Sequence, residues 1–133
     1  PRTNSWQVDV LDVGQGLAVI ISKNKHAIIY DVGASYPSGF NMADSVLLPI
    51  LQARGLSKVD LVFISHGDND HAGSLPQLLE GIHISQVLTN QDKCQQHFAI
   101  NWQGLSIKAL WPDTALQYSD NNGSCVFNIS DKF

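Results

Sequence analysis

Cysteine, glutamate, long apolar runs and clustered positive charge are all scarce in this sequence. Two cysteines among 133 residues, Cys94 and Cys125, form neither a CxxC pair nor the framework of a disulfide-stapled scaffold. They read as free thiols rather than a disulfide, and they leave the compartment open. The longest uninterrupted apolar run is Leu17 to Ile21, far short of the roughly 20 residues a bilayer-spanning helix needs. Eight Lys and Arg against twelve Asp and Glu give a net charge of −4. The closest basic pair is Lys23 and Lys25, so no basic stripe of the kind that neutralises nucleic-acid phosphates is visible. Of the acids only Glu80 is Glu, and Asp favours caps, turns and metal loops over helix interiors. No repeat, low-complexity tract or linker interrupts the chain.

What remains is the composition of a folded domain. Hydrophobic residues make up 44% and charged residues 15%, which excludes a disordered or fibrous chain. The length fits one domain, residues 1–133. The chain opens on Pro1 without an initiator Met or a signal-type stretch, so it is expected to be a segment of a longer protein, C-terminally truncated within its domain.

Trp6 to Val13 alternates as a strand does. Leu17 to Ser22 is a second, more apolar strand, and His26 to Asp31 a third, after the polar turn Lys23-Asn24-Lys25. These three form a meander. Gly33 to Asn41 reads as a loop. Met42 to Arg54 has a helical apolar face stopped by Gly55, with Pro49 signalling a kink or a late start. Val59 to Ser65 is the clearest buried strand. A polar loop follows, then a helix from about Ala72 to Glu80, and Ile84 to Leu88 is another short strand. Asn90 to Gln96 is too polar to place. Leu105 to Trp111 is a strand closed by Pro112, Asp113 to Gly123 a long polar loop, and Ser124 to Ile129 one more strand. Strand–helix–strand order after a strand-rich start predicts an α/β (α+β) arrangement with helices on one face of a sheet.

One segment carries chemistry: Ser65-His66-Gly67-Asp68-Asn69-Asp70-His71-Ala72-Gly73. Four side chains able to bind metal, His66, Asp68, Asp70 and His71, fall within six residues at the exit of a buried strand. His66 and Asp68 share one side of the extended part, and the turn into the helix brings Asp70 and His71 toward the same pocket. Neutral imidazole and carboxylate are ligands for divalent metals. The plainer reading, a solvated loop with an acid capping the helix, needs one acid and not this set. Three rival motifs fail. Ala72 and Leu79 spoil an EF-hand loop that would start at Asp68. Val19 spoils a dinucleotide fingerprint starting at Gly14. No G-x-S-x-G elbow occurs.

His66-x-Asp68-x-Asp70-His71 resembles the H-x-[HD]-x-D-H signature of the metallo-β-lactamase fold. Leu11-Asp12-Val13-Gly14-Gln15-Gly16 and Tyr30-Asp31-Val32-Gly33 precede it in the expected order. With Asp at the third position and Asn121-Asn122-Gly123-Ser124-Cys125-Val126 downstream, the pattern resembles the hydrolase-like domain of the ComEC family. Members of that family are bacterial inner-membrane proteins of DNA uptake in natural competence. The resemblance runs from Trp6 to Val126. It implies the first half of a four-layer αββα sandwich, in a soluble domain of a membrane protein. It also implies metal-dependent hydrolysis of phosphodiester bonds in the non-imported DNA strand.

The resemblance assigns His66 and Asp68 to a first metal, and Asp70 and His71 to a second. Asp70 would also orient or deprotonate a metal-bridging water. Asp68, where His is commoner, shifts preference from Zn²⁺ toward Mn²⁺ or Mg²⁺. Asp31 resembles the acid that supports the ligands from behind, with a turn role equally open; for Asp12 and Gln15 the turn role leads. Asn121, Asn122 and Ser124 are candidates for phosphate contact, against the commoner role of turn residues. The resemblance implies a second half with its own G-D element and a His in a P-H-H-G-S-like segment, both expected downstream of Phe133. Weak or empty metal sites and no nuclease activity are therefore expected of these 133 residues alone. DNA, the membrane-channel part of the same protein and, through an uncovered sheet face, a second copy are the expected partners. Two other classes compete: a non-catalytic module contacting DNA or the channel, and a metallo-hydrolase of small phosphoesters or thioesters. His26, His83 and His97 read as surface histidines, and Trp6, Trp102 and Trp111 as core or edge packing.

Overall fold

The computed structural model describes residues 5–89, 98–112 and 123–131. Strands β1 (Gln7–Val10), β2 (Ala18–Lys23) and β3 (His26–Val32) form the expected antiparallel meander. The β2–β3 turn is two residues long, with Asn24 and Lys25 at φ of 53° and 65°, the mirror-image turn that suits the twist of a hairpin. β4 (Lys58–Ile64) and β5 (His83–Thr89) then add in parallel, giving the sheet order β1-β2-β3-β4-β5. Parallel pairing demands a crossover. The first is built from a π-helical segment, Ala43–Leu47, running into α1, Leu48–Ala53. The second holds α2 (Asn69–Ala72) and α3 (Leu75–Gly81). A second sheet of β6 (Ala99–Trp102), β7 (Leu105–Trp111) and β8 (Val126–Ser130) is antiparallel in that order.

Two-residue periodicity makes three layers of these elements. Ile20, Ile29, Val62 and Ile64 face one way, packing with Leu47, Leu51 and Leu78 of the helical layer. Their neighbours Ile21, Ile28, Leu61 and Phe63 face the other way, packing with Trp102, Leu105 and Ile107 of the second sheet. β4 is buried on both faces, which explains its unbroken Leu61-Val62-Phe63-Ile64 run.

Four expectations are corrected. The helix expected over Met42 to Arg54 changes type, π-helical over Ala43–Leu47 and α-helical over Leu48–Ala53, with Pro49 in the first turn of α1 just after the change. The helix expected from Ala72 is two short ones, because Pro76 likewise starts α3 and Asp70 and His71 already lie in α2. A short strand, Ala99–Trp102, was not expected at all. Cys125 is disulfide-bonded rather than a free thiol; the other cysteine of the sequence, Cys94, lies outside the described residues, as do His97 and the segment Asn90 to Gln96. Trp102 is buried in the core between the sheets and Trp6 packs against that core, whereas Trp111 is 36% exposed and contributes little to it. Among the described residues no helix is long and apolar enough to cross a membrane.

Candidate metal centre

The C-terminal ends of β3 and β4, where open α/β sheets build their sites, hold the candidate residues. Asp31 is completely buried near the end of β3 and adopts φ of 58°, a left-handed conformation that Asp tolerates better than most residues. Its carboxylate gathers three donors. Ser65 gives its backbone N–H to Oδ1 at 2.7 Å and its hydroxyl to Oδ2 at 2.5 Å. His71 Nδ1 lies 2.6 Å from the same Oδ2. Burial pushes the Asp31 carboxyl above its ordinary pKa, against the pull of the Ser65 and His71 donors. A His71 that donates its Nδ1–H to the Asp31 carboxylate keeps its Nε2 lone pair free, the arrangement a metal-ligating histidine needs. Of the two readings open for Asp31, the geometry fits support of His71. Ser65 was not singled out from the sequence as part of the site; its place directly before His66 was the available signal.

The four expected donors meet in pairs. His66 is nearly buried, with Nδ1 3.6 Å from Asp68 Oδ2. His71 Nε2 is 3.6 Å from Asp70 Oδ2. The two imidazole rings lie 4.0 Å apart between centroids, which joins the pairs into one cluster. Asp68 and Asp70 reach solvent, so the cluster is open on the outside. By donor chemistry the set fits divalent ions, with half of a four-ligand sphere per ion. Among the described residues, however, no group of three or more His, Cys, Asp or Glu is placed to hold one ion.

The Leu11 to Gly16 segment shapes the floor. A Cβ on Gly16, whose φ is +131°, would overlap the backbone carbonyl of Asp70. Leu17 N–H donates to that same carbonyl at 3.2 Å, so the glycine permits the contact that fixes Asp70. Asp12 is exposed and accepts the Gly14 N–H at 3.2 Å, the turn role that led for it. Cys125 N–H donates to the Ser65 carbonyl at 2.9 Å, which brings Ser124 and Cys125 to the strand end that opens the loop from His66 to His71; of the polar loop expected over Asp113 to Gly123, residues 113–122 lie outside the described residues. Asn121 and Asn122 lie outside the described residues.

This three-layer fold with an H-x-D-x-D-H loop at the strand ends matches a family pattern: residues 11–97 fit the metallo-beta-lactamase superfamily. The chain belongs to that superfamily. It is 39% identical over 136 residues to recombination protein 2 of Haemophilus influenzae, covering 96% of this chain and 17% of that protein. It is 28% identical over 132 residues to competence protein ComA of Neisseria gonorrhoeae, covering 95% and 18%. The chain thus spans less than a fifth of these curated relatives. Among solved structures, the subclass B3 metallo-beta-lactamase MEM-A1 from a soil metagenome shares the fold at 17% identity and a TM-score of 0.58, covering 77% of this chain and 48% of that one.

Proposed function

We propose that this domain hydrolyses phosphodiester bonds of DNA with a divalent metal. Its setting would be a bacterial inner-membrane protein of natural competence, where it degrades the strand that is not imported. The observation that carries this reading is the convergence of His66, Asp68, Asp70 and His71 at the end of β4, with His71 oriented by buried Asp31. Likeness to a protein named for competence supports the DNA setting. Bound Mn²⁺, Mg²⁺ or Zn²⁺ would supply charge neutralisation at the phosphate and acidify a water. His66 and Asp68 would hold one ion, and Asp70 and His71 the other. Asp70 orients the attacking water or takes its proton. Ser124, with Asn121 and Asn122, would bond phosphate oxygens. DNA, the channel part of the same protein and a second copy are the partners; exposed Val8, Val10 and Val126 offer the apolar surface for self-association.

The test is Asp70→Asn in the full-length protein, assayed on a single-stranded oligonucleotide with Mn²⁺ supplied. Asn keeps the shape but loses the charge, so hydrolysis should fall by more than about 100-fold with the melting temperature unchanged. Unchanged turnover would overturn the assignment. One observation favours a second reading. Because no three described donors are placed to hold one ion, the domain could contact DNA or the channel without turnover. A full-length protein that binds DNA but stays inert with metal supplied would select that reading.

A further inference from the structure

Beside the metal loop stands a feature that this chemistry has not used. The loop after β3 exposes two large rings, Tyr36 at 42% and Phe40 at 54%. They lie nearly parallel, 28° between planes and 5.9 Å between centroids, an offset stack. The loop that carries them is firmly tied. Tyr36 N–H donates to the Phe40 carbonyl and Gly39 N–H to the Tyr36 carbonyl, each at 2.9 Å. A bridge between Ser35 and Asn41 closes its base, and buried Asn41 donates to the Gly39 carbonyl at 3.1 Å. The loop is also clamped to the candidate centre. Asn69, between Asp68 and Asp70, donates to the Ser35 carbonyl at 3.0 Å and accepts the Ser35 N–H at 3.3 Å. Gly73 leaves the space its amide occupies, since a Cβ there would strike it.

Exposing two apolar rings on a rigid tip is costly unless something covers them. We propose that Tyr36 and Phe40 form a stacking platform for an unpaired nucleobase of a single-stranded DNA whose phosphate lies at the metal loop. This rests on the phosphodiester reading above and deepens it to a single-stranded substrate. Two observations point to a base. Tyr36 and Phe40 are both exposed and lie within 28° of parallel, the arrangement a third planar ring can join, and stacking of this kind tolerates any base. The clamp through Asn69 couples the platform to the residues that would hold the phosphate.

The experiment measures binding rather than turnover. Fluorescence anisotropy on the full-length protein would compare a labelled, hydrolysis-resistant phosphorothioate oligothymidine with an abasic strand of equal length. Tyr36→Ser combined with Phe40→Ser should weaken binding of the base-bearing strand about tenfold and leave the abasic strand unchanged. Tyr36→Leu with Phe40→Leu keeps the apolar bulk and should show the same loss, which separates stacking from loop collapse. Equal losses on both strands, or no loss on either, would overturn the platform while leaving the DNA reading standing. So would a loss confined to phosphatidylcholine vesicles, which would mark a membrane-seeking loop. If the wild-type protein binds neither strand, the DNA reading fails and the platform falls with it.

Discussion

A histidine–aspartate pair stands at each end of the β3–β4 strand pair, His26 with Asp60 on the strands themselves and Asp31 of β3 with His71 of α2. At the C-terminal end His71 meets Asp31 at 2.6 Å, with Ser65 as the third member. At the N-terminal end His26 meets Asp60 at 2.8 Å, and Trp102 donates its indole N–H to the same Asp60 oxygen at 2.8 Å. The differences lie in burial and neighbours. Asp31 is fully buried and its partner faces further donors at the metal loop, whereas the His26 and Asp60 side chains are 35% and 23% exposed. Trp102 belongs to the second sheet, so the Asp60 cluster clips the two sheets together. A histidine–aspartate pair is therefore not a site in itself. It becomes one where burial fixes the tautomer and the free nitrogen faces other ligands.

The comparison is broken most directly by removing each acid. Asp31→Ala leaves the buried Ser65 donors and His71 without an acceptor, and should cost about 2–4 kcal/mol in urea unfolding. Divalent-metal affinity, by calorimetry on the full-length protein, should fall about 10–100-fold, the usual loss when the group behind a ligand is removed. If metal binding survives with His71 unsupported, the two ends do not differ in the way argued above.

Asp60→Ala is the smaller perturbation. His26 is partly exposed and can turn to water, whereas the indole N–H of buried Trp102 loses its acceptor, so the loss should be about 1–2 kcal/mol. Metal affinity should be unchanged, because Asp60 is bonded to His26 and Trp102 at the end of the strands opposite the loop from His66 to His71. A metal defect as large as that of Asp31→Ala would show that the clip between the sheets also sets the metal site.

How much of this was legible in the sequence follows from distance along the chain. The candidate loop from His66 to His71 was readable because its four donor side chains are consecutive or nearly so, and β4 because burial on both faces leaves an unbroken apolar run. The pairing of Asp31 with His71 spans 40 positions, so only a resemblance could suggest it and a turn role stayed open. His26 reads as a lone surface histidine because Asp60 and Trp102 lie 34 and 76 positions away. Ala99–Trp102 is four residues with Asn at its centre, too short for a two-residue period to register. The basic residues gave a similar lesson. Scattered in sequence, Lys23, Lys25 and Arg54 come to line one cleft at the N-terminal end of β3, with Arg54 committed to Asp9 at 2.8 Å.

The finest difference between the ends is electrostatic, and Tyr30 reports it. Next to Asp31 in β3 but directed at the second sheet, Tyr30 donates its hydroxyl to the Cys125 carbonyl. Burial first, and the Asp31 charge second, push its pKa from the ordinary 10.0 up to about 12. The raised value means that the folded chain holds this proton more tightly than the unfolded chain does. Between pH 10 and about 12 the folded state binds more protons, so stability present below pH 10 is lost as the pH climbs through that window. Tyr30→Phe should lower stability by about 1 kcal/mol below pH 10, through loss of the hydrogen bond, and should flatten the decline above it. Urea midpoints at pH 9 and pH 11 on both proteins measure the difference. Asp31→Asn, which Asn's tolerance of the left-handed conformation makes foldable, should move the Tyr30 titration downward in ultraviolet absorbance, whereas Asp60→Asn at the far end should leave it in place. A titration that responds equally to the two substitutions would mean that Tyr30 feels burial alone, and the electrostatic distinction between the ends would be lost.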